Sequence, residues 1–591
     1  MKQIIIVLQI FICFFSIYSV ENYRTQKVSQ RTLDNIKQLI TLKAQRQIEN
    51  IDNALLADQI VLQRRNPEAK RHHNELSINN PDAYYQGDID LSEKQAEMLS
   101  KHLKSEIVLK EKDDEIIRQK RSVGLEPFYV RWDHRRPISY EFAKTIPLET
   151  RAKIRAALAM WEERTCIRFQ ENGPNVDRIE FFDGGGCSSF VGRTGGTQGI
   201  SISTPGCDII GIISHEIGHT LGIFHEQARL DQKNHIFINY NNIPLSRWNN
   251  FFPISQHEAD VFNLPYDTGS VMHYGPYGFA TDPYVPTITT RNKFQQYTIG
   301  QREGPSFLDY AAINIAYRCT EHCANIYCYH NGYPNPNNCA KCLCPDGFAG
   351  STCQFVQYTP CGALIKASKM PVTISSPNYP NSFNVGDHCI WLITAPPGGI
   401  VNFQFIEQFQ LQCEDTCDKS YVEVKTGADF RLTGYRFCCT KTPHHIFQSI
   451  ANEMIVIFRG FGDAGNGFKA KVWSNIDDQI VYANVVNGQN GVDHVLKSVV
   501  VVENVFEHVN VHQTTEEKRA CAFNVCPYGT NFLINNGEFH ILWKGCCVGL
   551  FQSGDMCSAL DDGENPFLKF LETLLSVRDI QRSRNLPDMT K

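Results

Sequence analysis

The placement of cysteine constrains this chain more than any other feature. Of its 22 cysteines, Cys13 stands apart near the start, none lies between Val20 and Arg121, and from Cys166 onward they recur at spacings that change from segment to segment. A chain of 591 residues far exceeds the ~250–300 residues at which a single core stops growing. Each change of spacing is therefore read as a change of module, and crosslinks in this number as the product of an oxidising compartment. Setting aside Cys13 leaves an odd number, with Cys521, Cys526, Cys546, Cys547 and Cys557 in the C-terminal tail, so one cysteine is free or bonds another chain.

The amino terminus agrees with export. Met1-Lys2-Gln3 is followed by an apolar run from Ile4 to about Phe15 and by small or polar positions around Ser16 and Ser19, the layout of a cleaved secretory signal, here residues 1–19. The run is well short of the ~20 apolar residues that span a bilayer, and no later stretch is long and apolar enough, so no membrane span is expected. A net charge of −6 with no basic face or run of aromatics and arginines argues against a nucleic-acid partner. The mature protein is expected to be secreted and extracellular.

Residues 20–121 read as a cysteine-free helical segment, with Leu33, Ile36, Ile40, Ala44, Ile48, Ile51 and Leu55 at helical spacing among charged residues. The segment ends in Arg118-Gln119-Lys120-Arg121, a basic cluster that a trypsin-like or furin-like secretory protease enters as an extended loop. Cleavage after Arg121 by such an activating protease makes residues 20–121 a pro-segment.

Residues 122–320 have globular composition and an α+β pattern. Phe128-Tyr129-Val130-Arg131-Trp132 and Ile138-Ser139-Tyr140-Glu141-Phe142 have strand character, a helix is predicted from about Pro147 to Arg164, and Ile179–Phe182 and Cys187–Val191 are strand-like about a glycine-rich turn. Residues 321–354 hold six cysteines in a piece too small to bury a core, so crosslinks must hold it. Residues 361–474 alternate short strand stretches, such as Tyr421–Val424 and Met454–Phe458, with Pro/Gly/Asn turns, the pattern of an all-β sandwich. The tail, 475–591, offers a β-prone run at Val499–Val502 and a helical stretch at Pro566–Val577, and no function follows from it.

The chemistry lies in Ser214-His215-Glu216-Ile217-Gly218-His219-Thr220-Leu221-Gly222-Ile223-Phe224-His225-Glu226. On a helix His215 and His219 project from one face, a turn apart, and can share an ion. Glu216, offset by roughly 100° at ~3.6 residues per turn, can reach a water on that ion without ligating it. A straight helix cannot deliver His225 as a third ligand; Gly222, free to adopt positive φ, can turn the chain back. Three neutral imidazoles leave a tetrahedral zinc one place for water, acidified toward a pKa of ~7. Glu216 is the expected general base. A bare His-Glu-x-x-His is common on surface helices, but the added Gly222 and His225 within an apolar run are far rarer.

This motif resembles that of the astacin family of metzincin zinc endopeptidases, over residues 122 to about 320. The resemblance implies one Zn²⁺ per catalytic domain on His215, His219 and His225, with Glu216 as catalytic base. Ser270-Val271-Met272-His273-Tyr274 is similar to the family's Met-turn, in which Met272 supports the site and Tyr274 is a switchable further ligand that helps stabilise the oxyanion. Glu226 matches the carboxylate linked to the new amino terminus after processing. Tyr85-Gln86-Gly87-Asp88 resembles the latency motif, with Tyr85 in place of the usual phenylalanine and Asp88 at the open zinc position. The resemblance also implies disulfides Cys166–Cys319 and Cys187–Cys207, and an edge strand at Cys187–Val191 to which substrate adds antiparallel.

Residues 323–353 resemble an EGF-like module, with the short gap from Cys339 to Cys342 leaving its pairing open. Residues 361–474 are similar to a CUB domain, with Cys361–Cys389 and Cys417 with Cys438, and Cys413 and Cys439 as a second pair nearby. Ser420 stands where calcium-binding CUB domains carry aspartate, and Asp463 matches another ligand position; calcium is not expected. The expected architecture is multidomain: an α+β metzincin domain, a small disulfide-rich EGF-like module and an all-β CUB sandwich, an order that resembles secreted nematode astacins, some of which act on cuticle, eggshell or other matrix. The expected partners are extracellular protein or peptide substrates. A rival reading, a catalytically inactive matrix-binding protein on the same fold, would be marked by loss of Glu216 or of a histidine, and all four are present.

Overall fold

The computed structural model describes residues 25–48, 64–80, 82–109, 123–254, 258–427 and 429–477, together with short strands between 480 and 559. The expected signal sequence, the basic cluster ending at Arg121 and the helix expected at Pro566–Val577 lie outside the described residues. The chain forms two units, Met1–Asp477 and Asp478–Lys591.

In the first unit residues 89–202 build a six-stranded sheet. Its strands are β1 (Ile89–Asp90), β2 (Ile138–Phe142), β3 (Phe169–Glu171), β4 (Arg178–Phe182), β5 (Cys187–Phe190) and β6 (Thr197–Ile202), in the order β1-β5-β6-β4-β2-β3. The pairings are parallel except between β5 and β6. Strand β5 would be the edge of this sheet but for β1, which comes from the amino-terminal segment and pairs Ile89 with Ser189 and Asp90 with Phe190.

Two helices pack together behind the sheet, α3 (Leu148–Arg164) and α4 (Ile210–Thr220), in one apolar cluster that includes Ile154, Leu158, Trp161, Ile212, Ile213 and Ile217. Buried faces of this kind, rather than helix propensity, supply most of the stability of such short helices. Helix α5 (Phe307–Ala316) starts with a capping box between Ser306 and Asp309, which satisfies two otherwise orphaned N–H groups.

The amino-terminal segment contributes α1 (Gln30–Ile48) and α2 (Glu93–Leu109). Leu33, Ile36 and Ile40 of the predicted periodic stretch are buried with Leu99 and Leu103 of α2 and with Tyr85. The strand expected at Phe128–Trp132 does not form; the segment is a turn carrying a single bridge from Val130 to Arg193. Its aromatic rings fill different clusters, Tyr129 with Phe224 and Trp132 in the main core, and the Trp132 indole N–H donates to Thr220 O at 2.9 Å. Aromatic residues favour half-buried surfaces of any kind, and here they wedge against the end of α4.

The cysteine-rich module pairs first to third, second to fourth and fifth to sixth: Cys323–Cys339, Cys328–Cys342 and Cys344–Cys353. The following domain is a sandwich of a five-stranded and a four-stranded sheet around Phe403, Phe405, Phe447, Phe458 and Phe468. Its disulfides are Cys361–Cys389, Cys413–Cys439 and Cys417–Cys438. Nearer the amino terminus Cys166–Cys319 and Cys187–Cys207 are joined. Among the described residues no helix is long and apolar enough to cross a membrane. The second unit shows paired strands at Ile480–Tyr482 with Val500–Val502, Thr530–Asn535 with Glu538–Trp543, and Leu550–Ser553 with Met556–Ala559.

Candidate metal centre

Helix α4 ends at Thr220, and the chain reverses at Gly222, whose φ is +107°. The Gly222 N–H donates to His219 O at 2.8 Å and the Ile223 N–H to Gly218 O at 2.9 Å. A side chain would be strained in this left-handed region. The turn brings His225 back beside His215 and His219, and all three rings are wholly buried.

The second nitrogen of each ring fixes its direction. His215 Nδ1 pairs with Val271 O at 2.8 Å, His219 Nδ1 with Ile223 O at 2.8 Å, and His225 Nδ1 with Gln86 Oε1 at 3.1 Å. With Nδ1–H donating to oxygen, each Nε2 presents a lone pair to a common point, the arrangement that metal-ligating histidines require. Burial pushes His219 down to about 4 and also lowers His225, so these imidazoles are neutral ligands at ordinary pH.

His215 and His219 Nε2 lie 3.1 Å apart, and the Asp88 carboxylate stands 3.1 Å from His225 Nε2, 3.2 Å from His215 Nε2 and 3.5 Å from His219 Nε2. Four ligands at ~2.0–2.1 Å from a tetrahedral zinc lie ~3.3–3.4 Å from one another. The donor set and its spacing fit that ion, and Asp88, His215, His219 and His225 are wholly buried together.

The residues that precede Asp88 are tightly enclosed. Gly87 has φ +85°, and a Cβ there would meet the Tyr274 hydroxyl at 2.9 Å and Leu76 Cδ2 at 2.7 Å. The Tyr274 hydroxyl donates to Gln86 O.

Glu216 is wholly buried, and among the described residues neither carboxylate oxygen has a hydrogen-bond partner. With Asp88 beside it, burial and then that negative charge push its carboxyl well above its ordinary value, an effect that a zinc cation among the histidines would oppose. Met272 is also wholly buried; its N–H donates to Ser270 Oγ at 3.1 Å and its carbonyl accepts the Glu226 N–H at 3.1 Å. Asp309 ties the start of α5 to this turn by accepting from Ser270 Oγ at 2.6 Å and the Val271 N–H at 2.9 Å. The Glu226 carboxylate accepts from Arg229 at 3.1 Å and from the Asp267 N–H at 2.8 Å.

Three residues that sequence reasoning did not single out also hold the site. Asn79 accepts the Cys187 N–H at 2.7 Å and donates to Gly87 O at 3.0 Å and Cys187 O at 2.7 Å, joining the amino-terminal segment to β5. Glu75 forms a wholly buried ion pair with Arg302, whose Nε lies 2.9 Å from Glu75 Oε2. An isolated Asn or Glu in a polar stretch carries no local signal for such long-range partners.

The profile of the astacin peptidase family matches residues 126–318, and a CUB domain profile matches residues 361–471. The chain is similar to zinc metalloproteinase nas-38 of Caenorhabditis elegans, with 43% identity over 95% of this chain and 95% of that protein. It is 37% identical to zinc metalloproteinase dpy-31 of Caenorhabditis elegans over 67% of each chain. Among solved structures it is similar to high choriolytic enzyme 1, a hatching enzyme zinc-protease from Oryzias latipes (Medaka fish), with 36% identity, coverage of 31% of this chain and 88% of that chain, and a TM-score of 0.29. With the three-histidine zinc site intact and a full-length relative of this similarity, the chain belongs to the astacin family of zinc metalloproteinases.

Proposed function

We propose that this protein is a secreted endopeptidase that cleaves extracellular proteins and is made as a latent zymogen. The observation that carries latency is the convergence of Asp88 with His215, His219 and His225 within a completely buried cluster. A carboxylate at the fourth position excludes the water that hydrolysis needs. Strand β1 supports the same reading, because it occupies the β5 edge in a parallel sense, whereas an antiparallel substrate would run the opposite way. The domain reading that goes with it is a signal at 1–19, a pro-segment at 20–121, catalytic, cysteine-rich and CUB regions at 122–320, 321–354 and 361–474, and a tail of unassigned role.

A zinc ion held by His215, His219 and His225 would supply an acidified water and an electrophile for the scissile carbonyl. Glu216, beside the cluster and without a hydrogen-bond partner among the described residues, takes the proton of the attacking water and returns it to the leaving amine. Once residues 85–88 leave, the Tyr274 hydroxyl loses its Gln86 partner and is free to donate to the developing oxyanion. Val123 is bridged to Ile223 and Gly124 N–H donates to Gly222 O at 2.9 Å, so an amino terminus freed after Arg121 starts close to the zinc loop, where Glu226 can pair with it.

The test is hydrolysis of a mixed peptide library by the purified chain before and after cleavage at Arg121, with and without a zinc chelator. Chelator-sensitive cleavage appearing only after processing is the expected result. Silence after verified cleavage and full zinc loading would favour the matrix-binding reading.

A further inference from the structure

The segment that carries Asp88 is anchored at a second place, far from the zinc ligands in sequence and on another domain. Residues 64–75 run along the CUB loop 412–420. Arg65 Nε lies 2.6 Å from Asp415 Oδ1, with both side chains buried, and His72 Nε2 lies 2.9 Å from Asp418 Oδ2, again largely buried. The backbones are bridged as well: the Lys70 N–H donates to Cys413 O at 2.9 Å and the Asp415 N–H to Lys70 O at 3.2 Å. Lys70 also pairs with Asp463, but both side chains are exposed, and such a pair contributes little.

The receiving loop is rigid, because Cys413–Cys439 and Cys417–Cys438 staple it to the sandwich. It is also fixed to the catalytic domain: Asp418 Oδ1 accepts the Arg302 N–H at 3.1 Å, and Cys417 N–H donates to Tyr297 O at 2.8 Å. Arg302 in turn holds Glu75. One short stretch of chain thus joins the CUB loop at Arg65 and His72 to the β5 edge at Asn79 and to the zinc ligands at Asp88.

We propose that the CUB loop 413–418 is a docking surface for a basic peptide segment, filled here by the chain's own residues 65–72, so that the CUB domain acts as a second anchor of the latent state. Two anchors on one segment keep each end at high local concentration for its site when the other lets go. Cutting after Arg121 severs the covalent tie but neither anchor. Release of the pro-segment then depends on the CUB contact as well as on Asp88. The docking claim stands on the ion pairs alone, while its effect on release rests on the latency reading above.

Hydrogen exchange on the full, uncut, zinc-loaded chain tests the docking without reference to activity. The variants are Asp415→Asn with Asp418→Asn, the reciprocal Arg65→Gln with His72→Gln, which leaves the CUB domain untouched, and the charge swap Arg65→Asp with Asp415→Arg. Either loss variant is expected to raise exchange across residues 64–73 by at least about tenfold while residues 85–90 stay protected, with the swap restoring protection. Unchanged exchange in the reciprocal variant overturns the docking. On the cut chain the loss variants are expected to shed the pro-segment faster than the parent. Equal shedding with altered exchange overturns the second-anchor role, and a cut chain that never gains activity bears on the latency reading instead.

Discussion

The Asp88 carboxylate stands 3.1 Å from Nε2 of His225, a residue 137 positions further along the chain, with both side chains wholly buried. A segment from the amino-terminal region thereby completes the ligand set of the catalytic helix. Asp88→Ala removes that ligand and little else, because the segment keeps Asn79, Glu75 and β1 as attachments. Because β1 still fills the β5 edge, uncut Asp88→Ala protein is expected to exchange its zinc-bound oxygen for water yet stay as silent as the uncut parent toward a fluorogenic peptide, whereas after cleavage at Arg121 it should gain activity sooner than the cut parent.

Glu216→Gln keeps the shape of the site and the three histidines but removes the proton acceptor. Zinc content by elemental analysis is expected to match the parent, while kcat of the processed enzyme falls by ~10²–10⁴, the range for loss of a general base. Parent-like turnover in this variant would contradict the assigned role.

Glu75 gives a pH signature. Burial raises its carboxyl, but the charge and hydrogen bonds of Arg302 outweigh this and hold it down to about 2, against an ordinary 4.5. A depressed carboxylate contributes stability that is fully present above its unfolded pKa and is lost as pH falls through the folded one. Protection of residues 74–80 against exchange should therefore owe nothing to pH between about 5 and 7 on account of Glu75, and should weaken as pH falls from about 4.5 toward about 2. Glu75→Gln should cost about 3–5 kcal/mol of local stability, because it strands a buried guanidinium, and should flatten that acid limb.

Gly222→Ala forces a side chain into φ +107°. Loss of roughly 1–3 kcal/mol is expected for a strained backbone position, and because His225 is delivered by this turn, zinc affinity should fall together with the melting temperature. Competition with a chelator separates the two: lower stability with unchanged affinity would show that His225 reaches the metal by another route.

Local chemistry was legible in the sequence wherever a short segment contains its own explanation. His215, Glu216 and His219 share one helical turn, Gly222 announces the reversal, and the changing cysteine spacing marks the modules. The aromatic run Phe128–Trp132 misled, because strand preference and a wedge of buried rings draw on the same residues. Helix α2 falls within the stretch read as helical, but the buried face of Ala96, Leu99 and Leu103 is not marked by the Leu33–Leu55 spacing, because a charged outer face surrounds it. Glu75–Arg302, Asn79 with Cys187, and Arg65–Asp415 are pairings between residues far apart in sequence, and no local pattern encodes them.

The central claim is that the chain's own Asp88 takes the position on zinc that hydrolysis requires for water. The direct measurement is zinc-edge X-ray absorption on the zinc-loaded chain before and after cleavage at Arg121 and removal of the pro-segment. The account predicts three imidazoles and a carboxylate oxygen at ~2.0–2.2 Å in the uncut parent, with the carboxylate replaced by water after processing and already absent in Asp88→Ala. The same first shell in the uncut parent and in uncut Asp88→Ala would contradict it.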